Sequence, residues 1–157
     1  AKLYYASPLF SEMEFAYNDF LVKKIRDEYP DLVVYSPQEQ GDINDKNSYA
    51  NSIEIAKYDT EALLSSDLMI AVLDGTAVDA GVASEVGVAY QAGIPILGLF
   101  TDSRQQGSDN KQKLEALKDT AESQFAYVNL YTVGLIKLNG QVYNTSVELI
   151  QAIQSYL

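Results

Sequence analysis

The chain has 157 residues, 22 Asp and Glu against 11 Lys and Arg, a formal charge of −11, and neither Cys nor His. That length suits one packed domain, and the acidic balance repels a phosphate backbone, which argues against nucleic-acid polymers as partners. Without thiols or imidazoles there are no disulfides, thiolate zinc sites, Cys nucleophiles, Ser-His-Asp triads or His-ligated metals, so carboxylates, Tyr and Lys remain for any chemistry and no metal or cofactor is expected.

Lys2 to Ala6 reads as a strand, and Ser11 with Glu14 forms a capping box that opens an amphipathic helix through Phe15, Leu21, Val22 and Ile25. Pro30 ends it. Leu32 to Tyr35 is a second strand, followed by a polar loop from Pro37 to Asn47 and a helix from about Ser48 to Leu64. Leu68-Met69-Ile70-Ala71-Val72-Leu73 is apolar throughout, as a strand buried on both faces should be, and Asp74-Gly75 breaks it. A helical pattern runs from Ala80 to Ala92, and Gly93 and Pro95 frame the turn into a fourth strand, Ile96 to Phe100. Thr101 to Asn110 is a polar, lid-like loop before a helix near Lys111 to Ser123. Phe125 to Ile136 reads as the fifth strand, and Asn144-Thr145-x-x-Glu148 starts a closing helix whose Val147, Ile150, Ile153 and Leu157 face the core. Alternating strands and helices predict a single-domain α/β fold: a flavodoxin/Rossmann-like, doubly wound parallel sheet of about five strands, order 2-1-3-4-5, with right-handed crossovers. No charged leader with an apolar core opens the chain, and apolar stretches are strand-length, so neither export nor a membrane partner is expected; with the lack of Cys this fits a cytoplasmic protein. The twelve Tyr are scattered and read mostly as ring packing.

The segment Asp79-Ala80-Gly81-Val82-Ala83-Ser84-Glu85-Val86-Gly87 sets two acids six residues apart just past the third strand, at the sheet edge where such folds bind ligands. Glu85 shares a helix face with Gly81, Val82, Val88 and Ala89 and should point inward, which costs several kcal/mol unless the group is paired, hydrogen-bonded or protonated. A salt-bridged or cap-bonded Glu on a partly exposed helix is the plainer alternative. Near the helix start, the dipole would favour the ionised form.

These residues resemble the nucleoside 2-deoxyribosyltransferase family on three landmarks: Tyr4-x-Ala6-Ser7-Pro8-x-Phe10 closing the first strand, Asp59 followed eight residues later by Asp67, and Asp79-x-Gly81-x-x-x-Glu85-x-Gly87. The likeness covers about Lys2 to Phe100. It implies transfer of 2-deoxyribose between nucleobases, as in nucleotide salvage, with small-molecule nucleosides and bases as partners. Glu85 would be the nucleophile, Tyr4 would orient it, Asp59 would protonate the departing base, and Asp79 would hold the sugar hydroxyls beside Ser7 and Gly81. Gln40 resembles the family's base-reading Gln. Asn129 and Tyr131 resemble a segment donated to a neighbouring subunit's site, which implies a homo-oligomer with shared sites. Plainer readings stand beside these: a core Tyr for Tyr4, capping of Ser65 or Ser66 for Asp59, N-capping for Asp79, and helix-on-sheet packing for Gly81, Ala83, Ser84 and Gly87. Two other activities compete, hydrolysis of 2′-deoxynucleoside 5′-monophosphates, with Ser7, Ser84 and Ser103-Arg104 as a phosphate cradle, and non-enzymatic nucleotide sensing.

Overall fold

The computed structural model describes residues 1–41, 45 and 47–157; the rest of the Pro37–Asn47 loop lies outside the described residues. Strands β1 (Lys2–Ala6), β2 (Val33–Tyr35), β3 (Leu68–Val72), β4 (Ile96–Leu99) and β5 (Gly140–Tyr143) form one parallel sheet in the order β2-β1-β3-β4-β5. The helices are α1 (Glu12–Glu28), α2 (Ser52–Leu64), α3 (Ala80–Gln91), α4 (Lys111–Glu115), α5 (Leu130–Leu138) and α6 (Ser146–Ile153). They lie on both faces of the sheet, as the α/β pattern requires.

Strand alternation sorts the core into two layers. Leu3, Tyr5, Leu68, Ile70 and Val72 pack against Leu21, Val22 and Ile25 of α1 and Leu149 and Ile153 of α6. Tyr4, Ala6, Met69 and Ala71 point the other way, against Leu63 of α2, Val82, Val86 and Ala89 of α3, and Val133 and Ile136 of α5. The Ser11–Glu14 capping box forms as the sequence implies.

Local hydrogen bonds fix the loops at the strands' carboxyl ends. Buried Asn18 accepts from the Tyr5 hydroxyl at 3.0 Å and donates through Nδ2 to Pro8 O and Gln38 Oε1, both at 2.9 Å, tying the loop after β1 to the turn after β2. Asp74 accepts from Thr101 N at 2.7 Å and Thr101 Oγ1 at 2.6 Å, pinning the end of β3 to that of β4. At the opposite edge Asp67 accepts from Lys2 N at 2.9 Å, so this landmark serves the fold.

Three expectations are corrected. None of the Phe125–Ile136 stretch is a strand: Asn129 caps α5, accepting from Thr132 N at 3.0 Å, and the fifth strand follows at Gly140–Tyr143. The apolar positions Val133 and Ile136 sit one helical turn apart and bury together, a periodicity that alternation with Leu135 disguises. In α6 the core face is Leu149 and Ile153, with Ile150 half-buried and Val147 exposed; Leu157 lies past its end and is also exposed. The helix near Lys111 is also shorter than expected, α4 passing into a 3-10 turn over Ala116–Lys118.

Gly140 pairs in register with Ile96, and a Cβ there would collide with the Ile96 carbonyl, whereas a Cβ on Gly134 meets open space. Gly140→Ala is therefore expected to cost about 3 kcal/mol or more, and Gly134→Ala, within a helix, to add about 0.5–1 kcal/mol. Urea denaturation of the two variants checks both signs.

Candidate active site

The carboxyl ends of β1, β2 and β3 converge where the strand order reverses, and side chains from α2 and α3 reach this edge. Parallel register places Tyr4 between Tyr35 of β2 and Met69 of β3. The Tyr4 side chain is fully buried, and its hydroxyl faces the carboxyl of Glu85. Tyr4 Oη and Glu85 Oε2 are both buried without a well-aligned hydrogen bond, yet lie close enough that each acts on the other's titration. Among the described residues no Lys or Arg pairs with Glu85.

Glu85 sits in the second turn of α3, past the free N–H groups of its start, and Asp79 takes up the cap by accepting from Val82 N at 3.0 Å. The dipole's effect fades beyond the first turn. Burial therefore dominates: it pushes the Glu85 carboxyl up to about 7, reinforced by the charges of Asp59 and Asp79 and opposed by the Tyr4 hydroxyl. The expectation of an acid held ionised by the helix end is thus reversed, and near neutrality Glu85 is poised between its two forms. Burial, followed by the charge of Glu85, lifts the Tyr4 phenol far above its usual range, so Tyr4 remains a donor.

Asp59 comes to this pair from α2. Ser65 and Ser66 both turn their hydroxyls to Ala62 O at 2.9 Å, so capping by Asp59 does not account for it. Of its neighbours three and four residues away on α2, Leu63 is buried, Ala62 half-buried, and Ile55 and Ala56 exposed, so the helix leaves the core at this point. Asp59 is half-buried and is felt electrostatically by Glu85, Tyr4 and Tyr35. Gln40 joins this side as well, its Oε1 accepting from the Tyr58 hydroxyl at 3.3 Å. Ser7 is buried just past β1. A Cβ on Gly81 would stand 3.1 Å from Asp79 Oδ2, so the glycine leaves that carboxylate room, whereas Gly87 faces open space and packing does not demand it.

The structure thus brings Tyr4, Asp59, Asp79, Glu85 and Gln40 into one neighbourhood. Asn129 and Tyr131 are elsewhere, exposed on the first turn of α5, and Tyr131 borders a groove of about 470 Å³ with Ser84, Gly87 and Tyr90 of α3. Tyr35 and Tyr58 are additions that sequence reasoning missed; the signal was Tyr35 ending β2 as the counterpart of Tyr4 on β1. Among the described residues no group of three or more acidic side chains is placed to hold a metal ion, and no helix is long and apolar enough to cross a membrane.

The family description Nucleoside 2-deoxyribosyltransferase matches residues 3–124, which include every member of this cluster and stop short of Asn129. The chain belongs to the nucleoside 2-deoxyribosyltransferase family. No curated protein matches it. Among solved structures, a conserved protein from Enterococcus faecalis V583 is 56% identical with a TM-score of 0.94, covering 99% of this chain and 98% of that one. A 2-desoxiribosyltransferase from Leishmania mexicana is 18% identical with a TM-score of 0.66, covering 99% of each chain. A CMP N-glycosidase from Clostridium botulinum is 19% identical with a TM-score of 0.52, covering 100% of each. The last two share the fold.

Because the folded-state pKa of Glu85, about 7, lies above its ordinary 4.5, the folded protein binds more protons than the unfolded chain between those values. Stability contributed by this group is present below that window and is lost as pH rises through it. Glu85→Gln is expected to stabilise the protein by on the order of 2 kcal/mol at pH 8 and by little near pH 4.5. Urea melts at both pH values test this, and an equal effect at both contradicts it.

Proposed function

We propose that this protein moves 2-deoxyribose between nucleobases through a covalent ester on Glu85. The observation that carries the reading is the inward Glu85 carboxyl, free of ion pairs among the described residues, facing the Tyr4 hydroxyl and near Asp59. Family membership supports it.

In its ionised form Glu85 attacks C1′ of a 2′-deoxynucleoside through an oxocarbenium-like transition state, forming the C1′–O bond as the C1′–N bond breaks. The bonding electrons leave with the base, and Asp59 supplies the proton the base needs. A second base then attacks C1′, returns a proton to Asp59 and frees Glu85. Tyr4 donates to the carboxylate and fixes which oxygen faces the sugar. Asp79, at the start of α3, takes the sugar hydroxyls beside Ser7 and Gly81, and Gln40 reads the base.

Nucleotide hydrolysis is the less favoured reading. The Ser84 hydroxyl donates to Ala80 O at 3.0 Å, and Arg104 folds onto Asp102 with Nη2 2.6 Å from Oδ2, so neither is free for a phosphate cradle. We also assign Asn129 and Tyr131 to a second copy's site, on the ground that both are exposed and Tyr131 borders the α3 groove. Specific activity should then fall on dilution; sedimentation as a fully active monomer contradicts that assignment.

Incubation with deoxyinosine and adenine is expected to yield deoxyadenosine, with little free sugar in a water-only control. Glu85→Gln should lower the rate on the order of 10³-fold or more. For the unmodified protein kcat/KM should rise with pH through about 7, the value at which Glu85 ionises. Since the Tyr4 hydroxyl lowers that value, Tyr4→Phe should shift the ascending limb upward. Free sugar with no exchange overturns transfer in favour of hydrolysis.

A further inference from the structure

Tyr35 has no part in the mechanism above, although its surroundings are built as closely as those of Tyr4. The two tyrosines are partners across β1 and β2, and their rings stack at 5.4 Å between centroids with 17° between planes. The Tyr58 ring lies tilted at 6.4 Å and 42°, and the Lys2 ammonium stands 5.4 Å from the Tyr35 centroid while donating to Ser65 Oγ at 2.6 Å. The ring is therefore held by three neighbours. Its hydroxyl is buried without a well-formed hydrogen bond and faces Asp59 and Tyr58. Phe would fill the same stack without burying a polar atom, so the hydroxyl calls for an explanation.

We propose that Tyr35 is a positioning residue for Asp59: strand register sets its hydroxyl beside that of Tyr4, where it holds one carboxyl oxygen and leaves the other for the departing base. This rests on the transfer reading. Two adjacent tyrosines then divide the work, Tyr4 facing the nucleophile and Tyr35 facing the acid. As the C1′–N bond breaks, its electrons stay with the base and the proton on the outer Asp59 oxygen passes to a base nitrogen. The carboxylate left on Asp59 accepts the Tyr35 O–H, a charge-assisted bond that stabilises it when its charge appears. The incoming base gives a proton back in the second half. The burial and negative surroundings that keep the Tyr35 phenol protonated fit a donor.

Tyr35→Phe keeps the stack and removes only the hydroxyl. Its base-release rates are to be measured on 2′-deoxynucleosides whose bases differ in acidity. The expected result is a loss of about 10- to 100-fold for bases that leave poorly without a proton, the range of one general-acid contact, and near-normal rates for the most acidic base. An unchanged rate overturns the proposal, as does an equal loss on every donor, which a merely structural role produces. A second readout needs no turnover: carboxyl ¹³C titration of Asp59 in the free protein, assigned with Asp59→Asn. Glu85 of α3, Tyr4 of β1 and Tyr58 of α2 face this neighbourhood in both proteins and stay constant. The Asp59 midpoint should move upward in Tyr35→Phe, and an unmoved midpoint overturns the proposal. If the unmodified protein releases no base from any donor, the transfer reading fails, and the titration still decides whether Tyr35 holds Asp59.

Discussion

Keeping a carboxylate turned toward a protein interior costs several kcal/mol when it is ionised without a partner of opposite charge. Among the described residues Glu85 has no such partner, and the donor that faces it is a tyrosine whose own proton is firmly held. Two further acids, Asp59 and Asp79, raise the cost. The molecule meets it by letting Glu85 take up a proton near neutrality and by burying the surrounding strands in two full layers of core. By pH 7 such a group weakens folding, which is why its presence is better explained by what it does to a bound molecule.

The scaffold turns that one side chain into a site through register. Parallel pairing of β1 with β2 and β3 places Tyr4 and Tyr35 side by side on the face covered by α2 and α3, and the reversal of strand order opens the edge above them. Asn18 and Asp74 then fix the loops that border the opening, one from each side of β1 and β3. Neither tyrosine can be shifted by one residue along its strand without passing to the other face of the sheet. The precision needed for chemistry is thus carried by strands and short clamps.

Much of this was legible before the fold was known, and the reasons differ by element. The apolar run ending at Leu73 declares a strand buried on both faces, and alternation with helical patterns leads to the strand order observed. Glu85 was legible because an acid among Gly81, Val82, Val88 and Ala89 contradicts its neighbours. The strand at Gly140–Tyr143 was not, because it is a short edge strand with a glycine and an exposed Gln141, and the preceding helix carries enough Val and Leu to imitate a strand. Val147 and Leu157 look inward-facing in the sequence because a short helix offers more than one apolar face and its end is not marked by a Gly or Pro. Tyr35 was harder to weigh for a different reason: its position ending β2 is a signal, but its role depends on which residue of one strand lies opposite which residue of another, and a single sequence does not state register. The inward orientation of Glu85 was foreseeable, but its protonation near pH 7 was not, since that depends on how far past the helix end it sits and on Asp59 arriving from another helix.

The most direct test is to catch the sugar on the protein. A 2′-fluorinated arabinosyl nucleoside, whose fluorine slows both formation and breakdown of an oxocarbenium-like state, should leave a pentosyl ester that peptide mass mapping locates at Glu85, and the same treatment of Glu85→Gln should leave none. Release of the base with no adduct at any time, or an adduct on a different residue, would contradict the account.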